Sequence, residues 1–238
     1  MALPKISHPI YETTLPDSNK KIKYRGFLAV EEKLLLLAVQ SNEPSQMVLA
    51  LKQIISNCVI DNINVDKLIM PSVEWLYLQI IQKSIGEELD LSISCSSCSE
   101  EISYKLQLNN IPAPKIVKKA NIIKIDADTF LTLKYPTLDS LEDLDVINEV
   151  NGSQSSEDIV KALANNIECL TVGDDTYSFI DQTDEEILEW FADLSGKQMG
   201  KITNFFKTIP TIEEIIEFDC PCGHHNLYSI KGISELFL

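Results

Sequence analysis

Two closely spaced cysteine pairs are the residues whose types and spacing most clearly predict chemistry in this sequence: Cys95-Ser-Ser-Cys98 and Cys220-Pro-Cys222. Cysteine thiolates are good ligands for Zn²⁺, and two pairs from distant parts of a chain can complete a tetrahedral site. Each pair is flanked by segments that alternate apolar and polar residues, as the strands of a hairpin do. This layout predicts a zinc ribbon, with Cys95, Cys98, Cys220 and Cys222 as the ligands of a structural zinc ion.

The second pair departs from the usual ribbon, because one residue rather than two separates Cys220 from Cys222. A shorter spacing could displace the sulfur of Cys222, and His224 is then the fallback ligand in a Cys₃His site. Two hypotheses without metal stay open: reduced thiols at surface turns, and a redox pair at Cys95 and Cys98. Redox pairs usually lie at a helix N-terminus that lowers the thiol pKa, whereas Cys95 follows a predicted strand.

The sequence separation between the pairs does not argue against a shared metal. Cys95 and Cys220 are 125 positions apart, and closing such a loop costs about 4 kcal/mol. Structural zinc contributes roughly 10 to 16 kcal/mol in small finger domains, so metal binding would offset the closure cost.

Hydrophobic periodicity predicts the elements that position the cysteines. Strands are predicted at 89–94 and 102–108 around the first pair, and at 215–218 and 227–230 around the second. The other predicted elements are a β-hairpin over 10–25, helices over 30–40, 44–58 and 71–85, a strand pair at 121–125 and 130–133, a helical pattern from Ser140, and helices carrying Ile159 to Leu170, Ile187 to Leu194 and Met199 to Phe206. Thr183-Asp-Glu-Glu186 matches a capping box and marks the clearest helix start.

These elements predict an α+β fold in four parts. Residues 1–88 form an N-terminal hairpin and helical region, and residues 89–136 form a central β region with the first cysteine knuckle. Residues 137–212 form a C-terminal helical region. Residues 213–238 form a closing hairpin with the second knuckle, which we expect to make one compact unit with 89–136.

Composition limits the function classes. Of 238 residues, 45% are hydrophobic and 24% charged, as in average globular proteins, and the longest apolar run, 34–39, is far too short to cross a membrane. No secretion signal is visible, so we expect a reducing compartment without disulfides. The net charge of −16, with Arg25 as the sole arginine, argues against binding nucleic acid.

Catalytic motifs are missing from the sequence. The stretch from Gly196 to Ile202 imitates a phosphate-binding loop but is one residue short and lacks the Ser or Thr that binds magnesium. The acidic run from Asp174 to Glu186 lacks the alternating carboxylates and central glycine of a calcium loop, so a solvated loop and helix start is the better interpretation. With three histidines, at positions 8, 224 and 225, general base chemistry has no obvious centre.

Short motifs that recur in one protein family are spread along nearly the whole chain. They are Leu3-Pro-Lys, Pro9-x-Tyr11, Leu15-Pro, Lys23-Tyr-Arg25-x-Phe27, Glu31-Glu-Lys-Leu-Leu-Leu, Leu49-Ala-Leu-Lys-Gln-Ile-Ile, Asn57-Cys58, Trp75-Leu-Tyr-Leu, Lys83-Ser-x-Gly86-Glu, Thr183-Asp-Glu-Glu-Ile and Cys220-Pro-Cys-Gly223. With these motifs the chain resembles the baseplate hub assembly proteins of T4-like tailed bacteriophages. The family pattern has proline at the position of Gly26 and Cys-x-x-Cys at the last knuckle, so the chain departs from it in both places.

The resemblance implies a non-enzymatic structural or assembly component of a contractile-tail baseplate, in the hub or inner baseplate. Its partners would be other baseplate and tail proteins, without nucleic acid or membrane, and we expect several copies in a symmetric assembly. The protein would be assembled in the host cytoplasm and belong to the virion tail. Two alternatives stay open: a zinc-ribbon regulator that contacts nucleic acid or polymerase, and a metalloenzyme with an open zinc position near His224 or His225.

Overall fold

The structure is a computed structural model that describes residues 6–41, 43–117, 119–141 and 155–232. The described residues contain six α-helices and ten β-strands, which confirms the predicted α+β class. The helices are α1 (Ala29–Ser41), α2 (Pro44–Cys58), α3 (Met70–Gln82), α4 (Ser156–Asn165), α5 (Asp184–Ala192) and α6 (Gly196–Lys207). The strands are β1 (Tyr11–Thr14), β2 (Lys21–Tyr24), β3 (Glu88–Ser94), β4 (Glu101–Gln107), β5 (Ile122–Lys124), β6 (Thr129–Leu133), β7 (Ile167–Val172), β8 (Asp175–Ser178), β9 (Glu213–Asp219) and β10 (His225–Lys231).

The chain divides into two compact units. Unit 1 comprises Met1–Val65, Pro71–Lys115 and Thr211–Leu238, and unit 2 comprises Asp66–Met70 and Ile116–Pro210. Both hairpins that carry the cysteine pairs, β3–β4 and β9–β10, therefore belong to unit 1. None of the helices in the described ranges has the length and apolar content needed to span a bilayer.

Helix α3 is the central element of unit 1. Most of its residues are buried, including the apolar Leu76, Tyr77 and Ile80 at 0% exposure and the polar Glu74 and Gln82, so other elements cover it on most sides. Strand β3 buries every second residue, in the alternation that the sequence predicts. The turn that follows α3 approaches Gly26 so closely that a Cβ at Gly26 would lie 2.7 Å from the carbonyl oxygen of Lys83.

An ion pair is buried beside this region of unit 1. The Nη2 atom of Arg25 donates to Oε1 of Glu31 over 3.0 Å, and the backbone N–H of Leu28 donates to Oε2 over 2.8 Å. Only 2% of Glu31 is exposed. Desolvation by burial raises the pKa of the Glu31 carboxyl, but hydrogen bonds, chiefly from Arg25 and Leu28, and the positive charge of Arg25 together outweigh it, so the pKa is lowered.

Unit 2 is built on an antiparallel sheet in the order β5-β6-β7-β8, with α4, α5 and α6 contributing to its core. Leu131 and Leu133 of β6, Leu163 of α4 and Ile202 of α6 are fully buried in this core. The predicted strand pair at 121–125 and 130–133 is thus confirmed as β5–β6. The helical pattern predicted from Ser140 falls mostly on residues 142–154, which lie outside the described ranges.

The helix predicted through Leu170 is wrong beyond Asn165. Residues Ile167–Val172 form β7, which pairs with β6 and with the unpredicted strand β8. Gly173 has a φ of 60° and Val172 pairs with Asp175, so Gly173 and Asp174 make a tight two-residue hairpin turn with glycine first. Asp175, predicted to lie in a solvated loop, begins β8 instead.

Three helices of unit 2 begin with a complete capping box. At Ser155, Thr183 and Ser195 the side chain accepts from the backbone N–H three residues later, and that residue's side chain accepts from the capping residue in return. The box at Thr183 and Glu186 is the one that the sequence predicts. Because these contacts satisfy free N–H groups at the helix ends, they set where α4, α5 and α6 start.

Candidate metal centre

The first cysteine pair lies in the turn of the β3–β4 hairpin. Cys95 donates its backbone N–H to the carbonyl oxygen of Glu100 and accepts from Ser99 N–H at its own carbonyl, over 2.8 and 2.9 Å. Ser99 has a φ of 61°, a conformation that reverses the chain just after Cys98. The N–H of Ser97 lies 3.4 Å from the sulfur of Cys95, so the turn directs a backbone donor at that sulfur.

The second pair lies in the turn of the β9–β10 hairpin. This turn resembles the first but has one residue fewer between its cysteines. Cys220 N–H donates to the carbonyl of His224 over 2.9 Å, and Gly223 N–H donates to the carbonyl of Cys220 over 2.8 Å. Gly223 has a φ of 89°, which a residue without a Cβ adopts readily. Each turn therefore has a positive-φ residue directly after its second cysteine, and glycine closes the tighter turn.

The two turns bring four sulfur atoms together. The Sγ atoms of Cys95, Cys98, Cys220 and Cys222 all lie within 4.8 Å of one another. The sulfurs of Cys95 and Cys222 are 3.9 Å apart and those of Cys98 and Cys220 are 3.6 Å apart. A tetrahedron with Zn–S bonds of about 2.3 Å has sulfurs about 3.8 Å apart, so these distances fit a four-thiolate zinc site. They are too long for disulfides, in which sulfurs are about 2.05 Å apart.

Hydrogen-bond donors prepare Cys95 to act as a thiolate. Desolvation by burial is the largest influence on its pKa and raises it. Hydrogen bonds from the backbone amides of Cys98 and Ser97 and from the side chain of Asn226 act in the opposite sense, and the resulting pKa is about 6. The pKa of Cys220 is raised to about 12: a backbone hydrogen bond lowers it, but burial and the neighbouring sulfurs outweigh that bond. Several thiolates at this spacing repel one another unless a cation lies between them.

Asn226 supports the cluster from outside the set of sulfurs. It is buried on β10, donates from Nδ2 to the sulfur of Cys95 over 3.4 Å, and accepts at Oδ1 from both N–H and Oγ of Ser96 over 3.0 Å. One side chain thus connects the second hairpin to the first cysteine turn. Asn226 was not among the predicted site residues, because no motif in the sequence distinguishes it from any other polar residue on a strand.

The two neighbouring histidines lie outside the sulfur cluster. The Nε2 atom of His224, the predicted fallback ligand, lies 3.0 Å from Oγ of Ser96. The Nδ1 atom of His225 lies 2.8 Å from Oδ1 of Asp219. This hydrogen bond is the main cause that raises the pKa of His225, so the ring is more readily protonated than an isolated imidazole. The structure therefore brings Cys222, rather than His224, to the other three sulfurs.

Comparison with protein families identifies the chain. The family model described as T4 bacteriophage base plate protein matches residues 8–238, which is nearly the whole chain. The protein belongs to this family. No curated protein and no solved structure matches it.

Within this baseplate protein, the other two cysteines are placed differently from the four in the cluster. Cys58 is buried at the end of α2, and burial raises its pKa to about 11 despite the nearby guanidinium of Arg25. Cys169 lies on β7 in unit 2, opposite Thr132. Neither belongs to a group that could hold a metal ion among the described residues.

Four sulfurs would fill a tetrahedral coordination shell. A catalytic zinc site keeps one position for water or substrate, whereas a structural site uses four protein ligands. The candidate centre of this baseplate protein has the composition of the second kind. It joins two hairpins of the same unit, with Cys95 and Cys220 buried and Cys98 and Cys222 exposed.

Proposed function

We propose that this baseplate protein is a non-enzymatic component of the hub or inner baseplate that binds other baseplate proteins, and that its cysteine cluster holds a structural zinc ion. The observation that carries the proposal is the family match over residues 8–238. The closed set of four sulfurs supports an architectural role for the metal, because it offers no open coordination position.

Zinc would tie the β3–β4 hairpin to the β9–β10 hairpin. Each of these hairpins is an isolated two-stranded sheet among the described residues, and two-stranded hairpins are marginally stable by themselves. Besides the sulfurs, the hydrogen bonds between Ser96 and Asn226 connect the two turns. A metal at this position would hold the surface around both turns in one arrangement, which a partner protein could then recognise.

Co-sedimentation with phage tails tests the proposed role. Purified tails and tail-assembly intermediates would be separated by gradient centrifugation and probed for this protein. We expect it in the baseplate-containing fractions, in several copies per particle. Its absence from both the tails and the assembly intermediates would overturn the proposal. Metal content, measured by mass spectrometry of the purified protein, should be one zinc per chain.

The alternative of a nucleic-acid-binding zinc ribbon finds little support on the surface of the hairpins. Strands β3, β4, β9 and β10 carry seven acidic residues and two lysines. Phosphate binding depends on clustered basic residues, so this balance disfavours DNA or RNA. Salt-dependent binding to DNA at physiological ionic strength would favour the alternative.

A further inference from the structure

An apolar groove lies in unit 2, in a part of the chain that the cysteine cluster does not involve. It is formed between strands β7 and β8 and the start of α5, and its volume is about 220 Å³. Its lining includes Leu170, Tyr177, Phe179, Glu186, Ile187 and Trp190. Leu170 and Tyr177 are opposite each other in the β7–β8 register, so their side chains lie on the same face of the sheet.

The aromatic side chains of the groove are held in a fixed arrangement. The ring of Phe179 meets that of Trp190 edge to face, with centroids 5.4 Å apart and planes at 87°. The rings of Phe191 and Trp190 also meet edge to face, with centroids 5.1 Å apart and planes at 89°. Phe179 and Phe191 are buried, whereas Tyr177 is 49% exposed. The groove therefore has a rigid base and an accessible aromatic wall, features that protein interfaces use to receive an anchoring side chain.

The size of the groove favours protein side chains over a small molecule or cofactor as its occupant. Pockets that enclose drug-sized molecules or cofactors have volumes of about 300–1,000 Å³. At about 220 Å³, this groove is smaller than that range and suits one or two apolar side chains. A segment of another protein that inserts such side chains is the occupant that its size favours.

The charge around the groove indicates which residues should flank that anchor. From Ile167 to Ser195 the sequence has nine acidic residues and no Lys, Arg or His, so this stretch accounts for more than half of the net charge of −16. The nine are Glu168, Asp174, Asp175, Asp181, Asp184, Glu185, Glu186, Glu189 and Asp193. Lys161 of α4 offsets part of this charge, with its Nζ 3.5 Å from Asp184.

We propose that this groove is a docking site for a segment of a partner protein that presents an aromatic or aliphatic side chain between lysines or arginines. The apolar side chain would fill the space between Tyr177, Ile187 and Trp190. The flanking cations would face the carboxylates of β8 and α5 and the exposed ring of Tyr177, which attracts cations at its face. Residues 142–154 of the same chain have four acidic residues and no basic one, so their charge does not complement the groove.

The inference rests on the proposed function only in taking a protein as the partner. Its test uses no phage tails, so its result is independent of the co-sedimentation experiment. The probe is a fluorescein-labelled synthetic peptide with a central Phe-Leu pair and two lysines on each side. Two control peptides have the same length: one replaces the lysines with glutamates, and the other replaces Phe and Leu with serines. Binding to the full-length protein is measured by fluorescence anisotropy.

We expect the basic apolar peptide to bind at least tenfold more tightly than either control. Its affinity should fall between 0.1 M and 1 M salt, where the Debye length shrinks from about 10 Å to about 3 Å. Tyr177→Ser should weaken binding at least tenfold. Ile180→Ser is the matched control, because Ile180 is 86% exposed on the same unit but does not line the groove, and it should leave binding unchanged.

Glu189→Lys provides a second variant that leaves the apolar lining intact. Glu189 is exposed on α5, and reversing its charge should weaken binding of the basic peptide without unfolding the helix. Equal binding of the basic and acidic peptides would overturn the proposal. So would equal binding of the serine peptide, which would mean attraction to an acidic surface without use of the groove, or wild-type affinity in a folded Tyr177→Ser protein.

Discussion

The thiols of the cysteine cluster differ in burial and in the hydrogen bonds that they accept. Cys95 is buried and accepts hydrogen bonds from Ser97 and Asn226, whereas Cys98 is exposed. Donors that point at a sulfur stabilise its thiolate, which is the form that binds metal. Cys95 is therefore the ligand whose loss should affect the proposed site most.

Replacing Cys95 with serine should lower zinc content and thermal stability together. The hydroxyl of serine is a poor zinc ligand, and the stability contributed by the metal would be lost with it. Zinc per chain would be measured by mass spectrometry and the unfolding temperature by calorimetry. Cys169→Ser is the matched control, since Cys169 lies outside the cluster and should keep full zinc content. A Cys95→Ser protein with unchanged zinc and unchanged unfolding temperature would show that the cluster does not hold the metal.

The buried carboxylate of Glu31 should make a pH-dependent contribution to stability. Glu31→Gln removes the charge that faces the largely buried Arg25 and weakens its charge-assisted hydrogen bonds, and we expect the free energy of unfolding to fall by about 2 kcal/mol at neutral pH. Because the pKa of Glu31 is lowered in the folded state, its contribution is complete above the unfolded pKa of about 4.3 and is lost as pH falls through the folded value.

The difference between wild type and Glu31→Gln should therefore shrink on acidification. Urea denaturation at neutral and acidic pH measures it. Glu32→Gln is the control, because Glu32 is exposed one position further along α1. An equal loss of stability in both variants, or a difference that grows at low pH, would contradict the role assigned to the ion pair.

At the scale of elements, capping boxes determine where the helices of unit 2 begin. In the box that starts α5, Glu186 accepts from the N–H and Oγ of Thr183 over 2.8 and 2.9 Å. Glu186→Ala should lower the free energy of unfolding by about 1 kcal/mol, because it leaves the Thr183 N–H without this acceptor.

Glu185→Ala is the matched control for that change. Glu185 carries the same charge in the same first turn of α5, so both variants alter the interaction with the helix dipole alike. Chemical denaturation monitored by circular dichroism would compare the two proteins. Equal effects would mean that charge near the helix start matters and the box does not.

Sequence alone predicts elements with a clear local signal. The cysteine hairpins and the start of α5 have such signals, in alternating residues and in a capping box. The helix prediction fails after Asn165 because Ile167 and Leu170 continue a helical spacing that began in α4. The pairing of β7 with β6 overrides that spacing, and only the tertiary structure contains this information.

The candidate metal centre and the apolar groove also divide into parts that the sequence predicts and parts that depend on tertiary structure. The four cysteines can be selected by residue type and spacing, and the structure brings their sulfurs together. Asn226 could not be selected, because its role depends on a contact with Cys95, 131 positions earlier in the chain. The groove at Tyr177 could not be selected either: its lining residues all lie between Leu170 and Trp190, but the pairing of β7 with β8 and the position of α5 decide which of them share one surface. A strand asparagine and an exposed tyrosine have no distinctive local pattern.

At the scale of the whole molecule, the proposed metal should stabilise unit 1 selectively. Both cysteine pairs belong to unit 1, whereas α4, α5 and α6 belong to unit 2. Removing zinc with a chelator should speed amide hydrogen exchange in β3–β4 and β9–β10 while leaving the helices of unit 2 at their original rates. Mass spectrometry of peptic fragments would measure both units in one experiment, with unit 2 as the internal control. Unchanged exchange in both hairpins would contradict the proposal that zinc ties them together.

The order of the cysteines in the chain also determines when the four-sulfur site can be completed during protein synthesis. Cys98 and Cys220 are separated by 122 positions, and most of unit 2 is encoded between them. At about 5–20 residues per second, a ribosome needs on the order of ten seconds to synthesise that stretch. Until the later hairpin is synthesised, only two of the four cluster thiols, those of Cys95 and Cys98, are present in the nascent chain. Completion of the four-sulfur centre is therefore a late event in biogenesis, after the residues of unit 2 have already been made.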